Sequence, residues 1–409
     1  MKEFFKVTDL DKVLEYTSDF PRVDTEDISL AESTGRILSK DIHADVDLPN
    51  FMRSTMDGYA VRASSTFGAS EANPAYLSVI GSVIMGESPP FTIEPGQAAE
   101  ISTGGMLPGG ADSVVMVEHT EAVDHITIEV YRSVAPGQNI LEKSEDIAKN
   151  TVLVSDGKRL RAQETGLLAA FGQKKVRVYK KPVIGIISTG DEIVPIDETP
   201  GLGQIRDINM YTLFGLVKNA GADPVNFGIV SDDFDDLLEK CTLALDKSDM
   251  VLISGGSSVG TRDFTIEVLT ALPHAQILVH GISISPGKPT ILARSHHQAI
   301  WGLPGQVVSA MVVFEVVVKP FIEQISGLSF KYKKNFKLPA RLSRNISSSQ
   351  GRADYIRVRL TQRNSVLWAE PILGKSGLIN TMVKADGLIE IGVNTEGLDK
   401  GAEVEVIPI

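Results

Sequence analysis

Along the chain the spacing of apolar residues changes character three times. Leu10, Val13, Leu14 and Thr17 fall at helical spacing, with Thr8 as a predicted N-cap and Pro21 beyond the end, which predicts a helix over 8–20; 28–38 reads as a second helix followed by a turn. From Asp41 to Val154 short apolar runs (77–84, 98–101, 114–117, 126–130) alternate with clusters such as Ser88-Pro89-Pro90 and Leu107-Pro108-Gly109-Gly110, the pattern of a β-rich domain. Arg161 to Phe171 is again helical, with Gly172 in the C′ position. If this helix packs on the first, the β-rich stretch is an insertion in a small helical module.

The third texture is strict alternation of strand and helix. Val183 to Ile187, apolar and β-branched except for Gly185, reads as a strand buried on both faces of a parallel sheet. Helices are predicted over 208–220, 233–246, 263–271 and 306–325, and strands over 225–230, 250–253, 276–280, 290–293 and 299–302. Such alternation predicts a mostly parallel, right-handed, three-layer α/β domain. Asp232 and Asp233 favour the start of the helix that follows, together worth ~0.5–2 kcal/mol. Beyond Gly327 alternation returns (Tyr355–Leu360, Ser365–Trp368, Glu403–Ile407), predicting a small barrel or sandwich.

Composition adds limits. With 409 residues, 43% of them hydrophobic, the chain has material for roughly three domains. A net charge of −12 argues against nucleic acid as partner, because phosphate-backbone binding needs a basic face. The one cysteine, Cys241, falls in an apolar helix pattern and reads as a core thiol, and the histidines lack zinc-ligand spacing. The N-terminal residues lack the apolar run of a signal peptide. The longest apolar stretch, 307–318, is interrupted by Glu315 and too short to span a bilayer. A cytoplasmic protein without membrane partner is expected.

The chemistry-bearing residues gather at strand ends. Ser188-Thr189-Gly190-Asp191-Glu192 follows the first α/β strand, and Ser254-Gly255-Gly256-Ser257-Ser258-Val259-Gly260, then Asp263, follows another. In open α/β sheets ligands bind beyond the carboxyl ends of the strands, and glycines there let backbone N–H groups approach an anion. Two such loops point to a phosphate-bearing ligand. Glu192, Asp232 and Asp263 fall on the same edge; singly each reads as a helix cap, and as a set they suit Mg²⁺, which takes oxygen ligands shared with phosphates. Ser285-Pro286-Gly287-Lys288-Pro289 presents a fixed ammonium to an oxyanion, and Leu303-Pro304-Gly305-Gln306 a second rigid loop at a helix start. Asp57 in an Asp-Gly step, Thr103 before Gly104-Gly105, and Ser144-Glu145-Asp146 read as turns when taken alone. The phosphate-binding pattern Gly-x-x-x-x-Gly-Lys-Ser/Thr is absent.

Taken as an ordered set, these stretches resemble the molybdopterin molybdenumtransferase family (MoeA and the gephyrin E-domain). The resemblance is carried by Ser54–Val61 (Ser-Thr-Met-Asp-Gly-Tyr-Ala-Val), Thr103-Gly104, Glu145-Asp146, the loops at 188–192 and 254–260 with Asp263, Pro286-Gly287-Lys288-Pro289, Leu303-Pro304-Gly305 and Gly374-Lys375-Ser376-Gly377, over nearly the whole chain. It implies a multidomain α/β plus β architecture: a helical linker module (1–40 and 155–178), an inserted β-rich domain (41–154), a central three-layer α/β/α molybdopterin-binding-like domain (179–328) and a C-terminal β-barrel (329–409). It also implies an elongated homodimer with the active site at the dimer interface. The implied reaction is Mg²⁺-dependent insertion of molybdate into adenylylated molybdopterin with release of AMP.

Carried over residue by residue, the resemblance gives Asp57, Asp146, Glu192 and Lys288 catalytic roles. Substrate binding falls to Thr103, Ser188, Thr189, Gly190, Asp191, Ser254, Gly255, Gly256, Ser257, Ser258, Gly260, Pro286, Gly287, Pro304 and Gly305. Lys288, Arg352 and Ser376 would hold molybdate, and Glu192, Asp232 and Asp263 the metal. Molybdopterin adenylyltransferase is the implied upstream partner, with apo-molybdoenzymes or their chaperones downstream. The chain departs from the family pattern at Ser144, at Gln306-Val307, and at Gly281 and Ser285, where relatives often carry lysines; a weak, salt-sensitive oxyanion pocket is expected. The alternatives are a non-catalytic paralogue that binds pterin or nucleotide, a tungstate-preferring insertase, and a nucleotide hydrolase on the same central fold, which the long N-terminal region disfavours.

Overall fold

The computed structural model describes residues 7–255, 264–333 and 336–409. Two compact units emerge: Asp41–Ser155 with Gly166–Gln173, and the remainder of the chain. In the first, a six-stranded sheet runs in the order Ser113–Met116, Gly58–Val61, Gln97–Ile101, Ala75–Ser82, Thr127–Val130, Thr120–Ala122. Its two faces are covered by separate apolar clusters, one around Ala60, Ala99 and Ile101 and one around Val61, Leu77 and Ile128. Gly58–Val61, Gln97–Ile101 and Ser113–Met116 are largely buried on both faces, which explains their apolar runs, whereas Ala75–Ser82 exposes alternate residues.

In the second unit the central domain consists of β1 (Val183–Thr189), α1 (Asn209–Ala220), β2 (Asp223–Val230), α2 (Phe234–Lys247), β3 (Met250–Ser254), α3 (Phe264–Ala271), β4 (Ala275–His280), β5 (Ile291–Ser295), β6 (Gln298–Leu303) and α4 (Val307–Val313). The sheet order is β2-β1-β3-β6-β5-β4, parallel from β2 to β6, with β5 and β4 joined by antiparallel pairings. One face of the sheet packs Ile184, Ile186, Leu252 and Trp301 against α1 and α4; the other packs Ile187, Val251, Ile253 and Ile300 against α2 and α3. The three layers are as predicted. Helix α4 is apolar all round because it is buried; it continues through a π turn (Phe314–Val318) into a further helix (Lys319–Ile325). Cys241 is fully buried in α2, and burial pushes its thiol up to about 12. No helix among the described residues is long and apolar enough to cross a membrane.

The C-terminal strands Leu338–Leu342, Ala353–Arg363, Val366–Pro371, Gly387–Ile391 and Glu403–Pro408 close on themselves: Ala353–Arg363 pairs with both Val366–Pro371 and Gly387–Ile391. Between barrel and sandwich, the structure is a barrel, which leaves no open edge.

Three local expectations need correction. Residues 28–38 form no second helix: Thr25–Ser29 is a strand paired antiparallel with Lys175–Tyr179, followed by a short 3₁₀ turn, Leu30–Glu32. A partner strand that alternately buries Val176 and Val178 outweighs weak helical spacing. This pairing, rather than helix packing, joins the two segments that flank the inserted domain. The first helix is shorter than expected, Leu10–Glu15, and Asp9 rather than Thr8 precedes it; the Thr8 backbone instead bonds Gly281. Finally, Asp233 alone caps α2, its carboxylate accepting the backbone N–H groups of Asp235 and Asp236 at 2.9 and 3.1 Å. Asp232 faces β1 instead.

Asp233→Ala is therefore expected to lower stability by ~1 kcal/mol, whereas Asp232→Asn leaves it within ~0.5 kcal/mol. Urea unfolding of both variants checks this, and equal losses would contradict the division of labour.

Candidate functional site

The carboxyl edge of the central sheet is built from four strand exits. At β1, the Thr189 hydroxyl donates to Asp232 at the exit of β2 (2.8 Å), and the Asp232 backbone N–H donates to the Asp191 carboxylate (3.0 Å). The Gly190 N–H reaches the Val230 carbonyl at 3.3 Å. The two exits are thus laced together, and one carboxylate oxygen of Asp232 is held by a hydroxyl. Glu192 stands exposed beside the Gly190 turn.

At β3, Gly255 has φ +123°, and a Cβ there would lie 2.0 Å from the Thr189 carbonyl oxygen. Only glycine lets this backbone pass so close to β1. Beyond β6, a Cβ on Gly305 would meet the Gly255 Cα at 3.6 Å. Both approaches are tied by Asn209, the first residue of α1 and buried. Its amide nitrogen donates to Ser254 Oγ and to the Gly305 carbonyl, each at 2.7 Å. Asp207 supports it by accepting the Met210 N–H at 3.0 Å. Asn209 Oδ1 and Ser188 Oγ are buried without a partner among the described residues. Buried polar atoms without a partner are costly and rare, and these two lie at the carboxyl edge of the sheet. Asn209 is absent from the sequence-derived set because a lone Asn at a helix start reads as a cap.

The residues expected to hold an oxyanion come from further along the same unit. Ile284-Ser285 pairs in parallel with Ala353-Asp354, which sets the exposed Lys288 loop beside Arg352. Arg352 Nε lies 3.0 Å from the buried Asp354, which also accepts the Ser348 hydroxyl at 2.6 Å. The Ser376 carbonyl accepts the Val308 N–H of α4 (3.0 Å), and its loop is held by Arg357, which donates to Gly374 O and Thr381 Oγ1, each at 2.8 Å. Pro286, Gly287 and Pro304 shape these turns; Gly287 packs where a Cβ would meet Val313 at 2.4 Å. Gly281 has φ +97°, a conformation that disfavours any side chain at this position.

In the β-rich unit, Asp57 accepts the Thr103 backbone N–H (2.7 Å) and hydroxyl (3.0 Å). These bonds, the backbone one first, hold the exposed Asp57 carboxyl below the usual carboxylate range. Ser54 organises the surroundings: its N–H bonds Gly105, its carbonyl accepts the Gly104 N–H, and it pairs with Ile140. Asp146 is exposed on the turn that follows, anchored by its N–H to Leu48. Gly256, Ser257, Ser258, Gly260 and Asp263 lie outside the described residues.

Four strand exits tied together by side chains define an α/β protein with the kind of sheet edge at which such folds bind ligands. Residues 8–172 match the family profile "MoeA N-terminal region (domain I and II)", residues 185–324 "Probable molybdopterin binding domain", and residues 339–409 "MoeA C-terminal region (domain IV)". The chain is 37% identical to a Methanocaldococcus jannaschii protein named for molybdopterin biosynthesis, over 97% of this chain and 94% of that one. It is 33% identical to the molybdopterin molybdenumtransferase of Bacillus subtilis, over 94% and 90%. A crystal structure of the MoeA molybdopterin biosynthesis protein of Pyrococcus horikoshii superposes with a TM-score of 0.82 at 40% identity, covering 98% and 99% of the two chains. The chain belongs to the molybdopterin molybdenumtransferase (MoeA) family.

In a carboxyl-selective NMR titration Asp57 is expected to have its midpoint below the ordinary value of about 3.9. Thr103→Val should raise it only part of the way, because the backbone donor remains. An ordinary midpoint in the wild-type protein would mean that the pair does not form in solution.

Proposed function

We propose that this chain is a molybdopterin molybdenumtransferase that inserts molybdate into adenylylated molybdopterin with release of AMP. One observation carries the reading: in a chain that matches the family along its length, the exits of β1, β2, β3 and β6 converge and leave Asn209 and Ser188 with buried acceptors to offer a ligand. Ser188, Thr189, Gly190, Asp191, Ser254, Gly255, Pro304 and Gly305 bind the pterin-nucleotide. Lys288, Arg352 and Ser376 offer an ammonium, a forked guanidinium and a hydroxyl, a donor set suited to a tetrahedral dianion such as molybdate. Asp57, Asp146 and Glu192 are the carboxylates proposed to act in catalysis.

Mg²⁺ fits the chemistry of the donors at the β1–β2 edge. Asp232, whose backbone N–H bonds Asp191, and Glu192, next in the chain to Asp191, supply hard oxygens, with Asp263 as the third ligand that the resemblance implies. Mg²⁺ takes such carboxylate oxygens and completes its shell with substrate phosphates. When bound, it would neutralise phosphate charge. Thr189 fixes the Asp232 carboxylate, and the Gly190–Val230 contact fixes the turn that carries Asp191 and Glu192.

We further propose a cytoplasmic homodimer in which Asp57 and Thr103 of one subunit complete the pocket of the other, supplied by a molybdopterin adenylyltransferase and delivering to apo-molybdoenzymes or their chaperones. The support is the family resemblance.

With adenylylated molybdopterin and Mg²⁺, AMP release is expected to be slow alone and to accelerate on addition of molybdate. Asp232→Asn should cut the accelerated rate by about 10²-fold or more without changing the melting temperature. AMP release that is equally fast without molybdate or tungstate would make the chain a nucleotide hydrolase, and no release with either would make it a binding paralogue. Heterodimers of Asp57→Ala and Lys288→Ala subunits should regain activity, because one pocket is then intact; inactive heterodimers would place the whole site within one chain.

A further inference from the structure

A cavity of about 510 Å³ is lined by Lys158, Arg159, Arg161, Glu323, Leu328, Lys331, Tyr332 and Lys333. It lies at the far end of the helical run from 307 to 325, whose N-terminus meets the Ser376 loop. At 1.5 Å per residue those 19 residues span roughly 28 Å between it and that loop. The close approach of two segments distant in sequence creates it. The Ser329 N–H bonds the Gly157 carbonyl at 2.9 Å, and a Cβ on Gly157 would lie 2.6 Å from that of Ser329.

The charge in this cavity runs against that of the molecule. In a chain of net charge −12, five cations line it. Glu164 pairs with Lys158 (2.9 Å) and Arg161 (2.7 Å), and Glu323 pairs with Lys333 (3.3 Å), so two carboxylates leave an excess of three positive charges. Helix termination accounts for Lys333, which also reaches the Pro320 carbonyl at 3.5 Å, since cations favour a helix C-terminus. It does not account for Arg159, Arg161 and Lys331. Neither Arg159 nor Lys331 has an ion-pair partner among the described residues; Arg159 donates to the Gly35 carbonyl, and Lys331 lies 4.8 Å from the centre of the Tyr332 ring. Holding like charges together is unfavourable unless an anion offsets them.

We infer that this cavity binds a small molecule carrying two or more phosphate groups, with Arg159, Arg161 and Lys331 as its donors and Leu328 and Tyr332 as its apolar wall. The volume lies within the ordinary range for small-molecule sites, and guanidinium groups match phosphate geometry. Inorganic polyphosphate and a nucleoside polyphosphate share this chemistry. Calorimetric titration of the full-length protein with inorganic triphosphate, ATP and AMP separates them: binding of both triphosphates indicates recognition of phosphate alone, and binding of ATP only indicates that the base is recognised too. Either result supports the site if Lys331→Glu weakens binding at least about tenfold, Lys288→Ala does not, and affinity falls as salt rises. Lys331→Glu should leave molybdate-dependent AMP release unchanged. Arg159→Gln, which keeps a donor for Gly35, serves as a second variant should Lys331→Glu fail to fold. No saturable binding of either triphosphate, or binding lost in Lys288→Ala and retained in Lys331→Glu, overturns the inference.

Discussion

The Asn209 amide holds the edge of the central sheet in one arrangement. With both its bonds at 2.7 Å, it joins the side chain that ends β3 to the backbone that follows β6. Gly255 can then run against the Thr189 carbonyl, which brings β1 into the same cluster. Because Asn209 opens α1 and Asp207 fixes the start of that helix, the amide's position is set by a buried helix rather than by a mobile loop. A site on rigid elements keeps its donors and acceptors at fixed separations, which binding a polar ligand in low dielectric requires.

The C-terminal barrel contributes to the same unit by extending pairing rather than by packing alone. Ile284-Ser285 lies beside one edge of the strand that starts at Ala353, so the Lys288 loop and Arg352 are set by backbone register. Arg357, buried and with its pKa lowered by burial, donates into the Ser376 loop. Its desolvation is offset by a carbonyl and a hydroxyl, not a carboxylate, so the loop remains net cationic beside Lys375. That suits an oxyanion better than a neutralised pair would.

Much of this was legible in the sequence. The α/β alternation, the β-rich insertion and the strand-exit loops follow from periodicity, because a sheet buried on both faces leaves continuous apolar runs. The strand at 25–29 was not legible: its partner at 175–179 lies some 150 residues away, and pairing at that distance leaves no local signal. Asp232 and Asp233 could not be told apart for the same reason, since the Thr189 hydroxyl that distinguishes them comes from another strand. Asn209 looks like any helix-start asparagine until Ser254 and Gly305 are placed around it. The basic cavity draws on 158–161 and 323–333, neither of which is a long charge run by itself.

We propose that the edge formed by β1, β2, β3 and β6 binds the nucleotide part of the substrate, which a crystal structure with AMP and Mg²⁺ would reveal. AMP is expected against the loops at 188–191 and 254–255, with a hydrogen-bond donor of the ligand reaching Asn209 Oδ1 or Ser188 Oγ. AMP ordered elsewhere, with both buried acceptors still unpaired at the sheet edge, would contradict it.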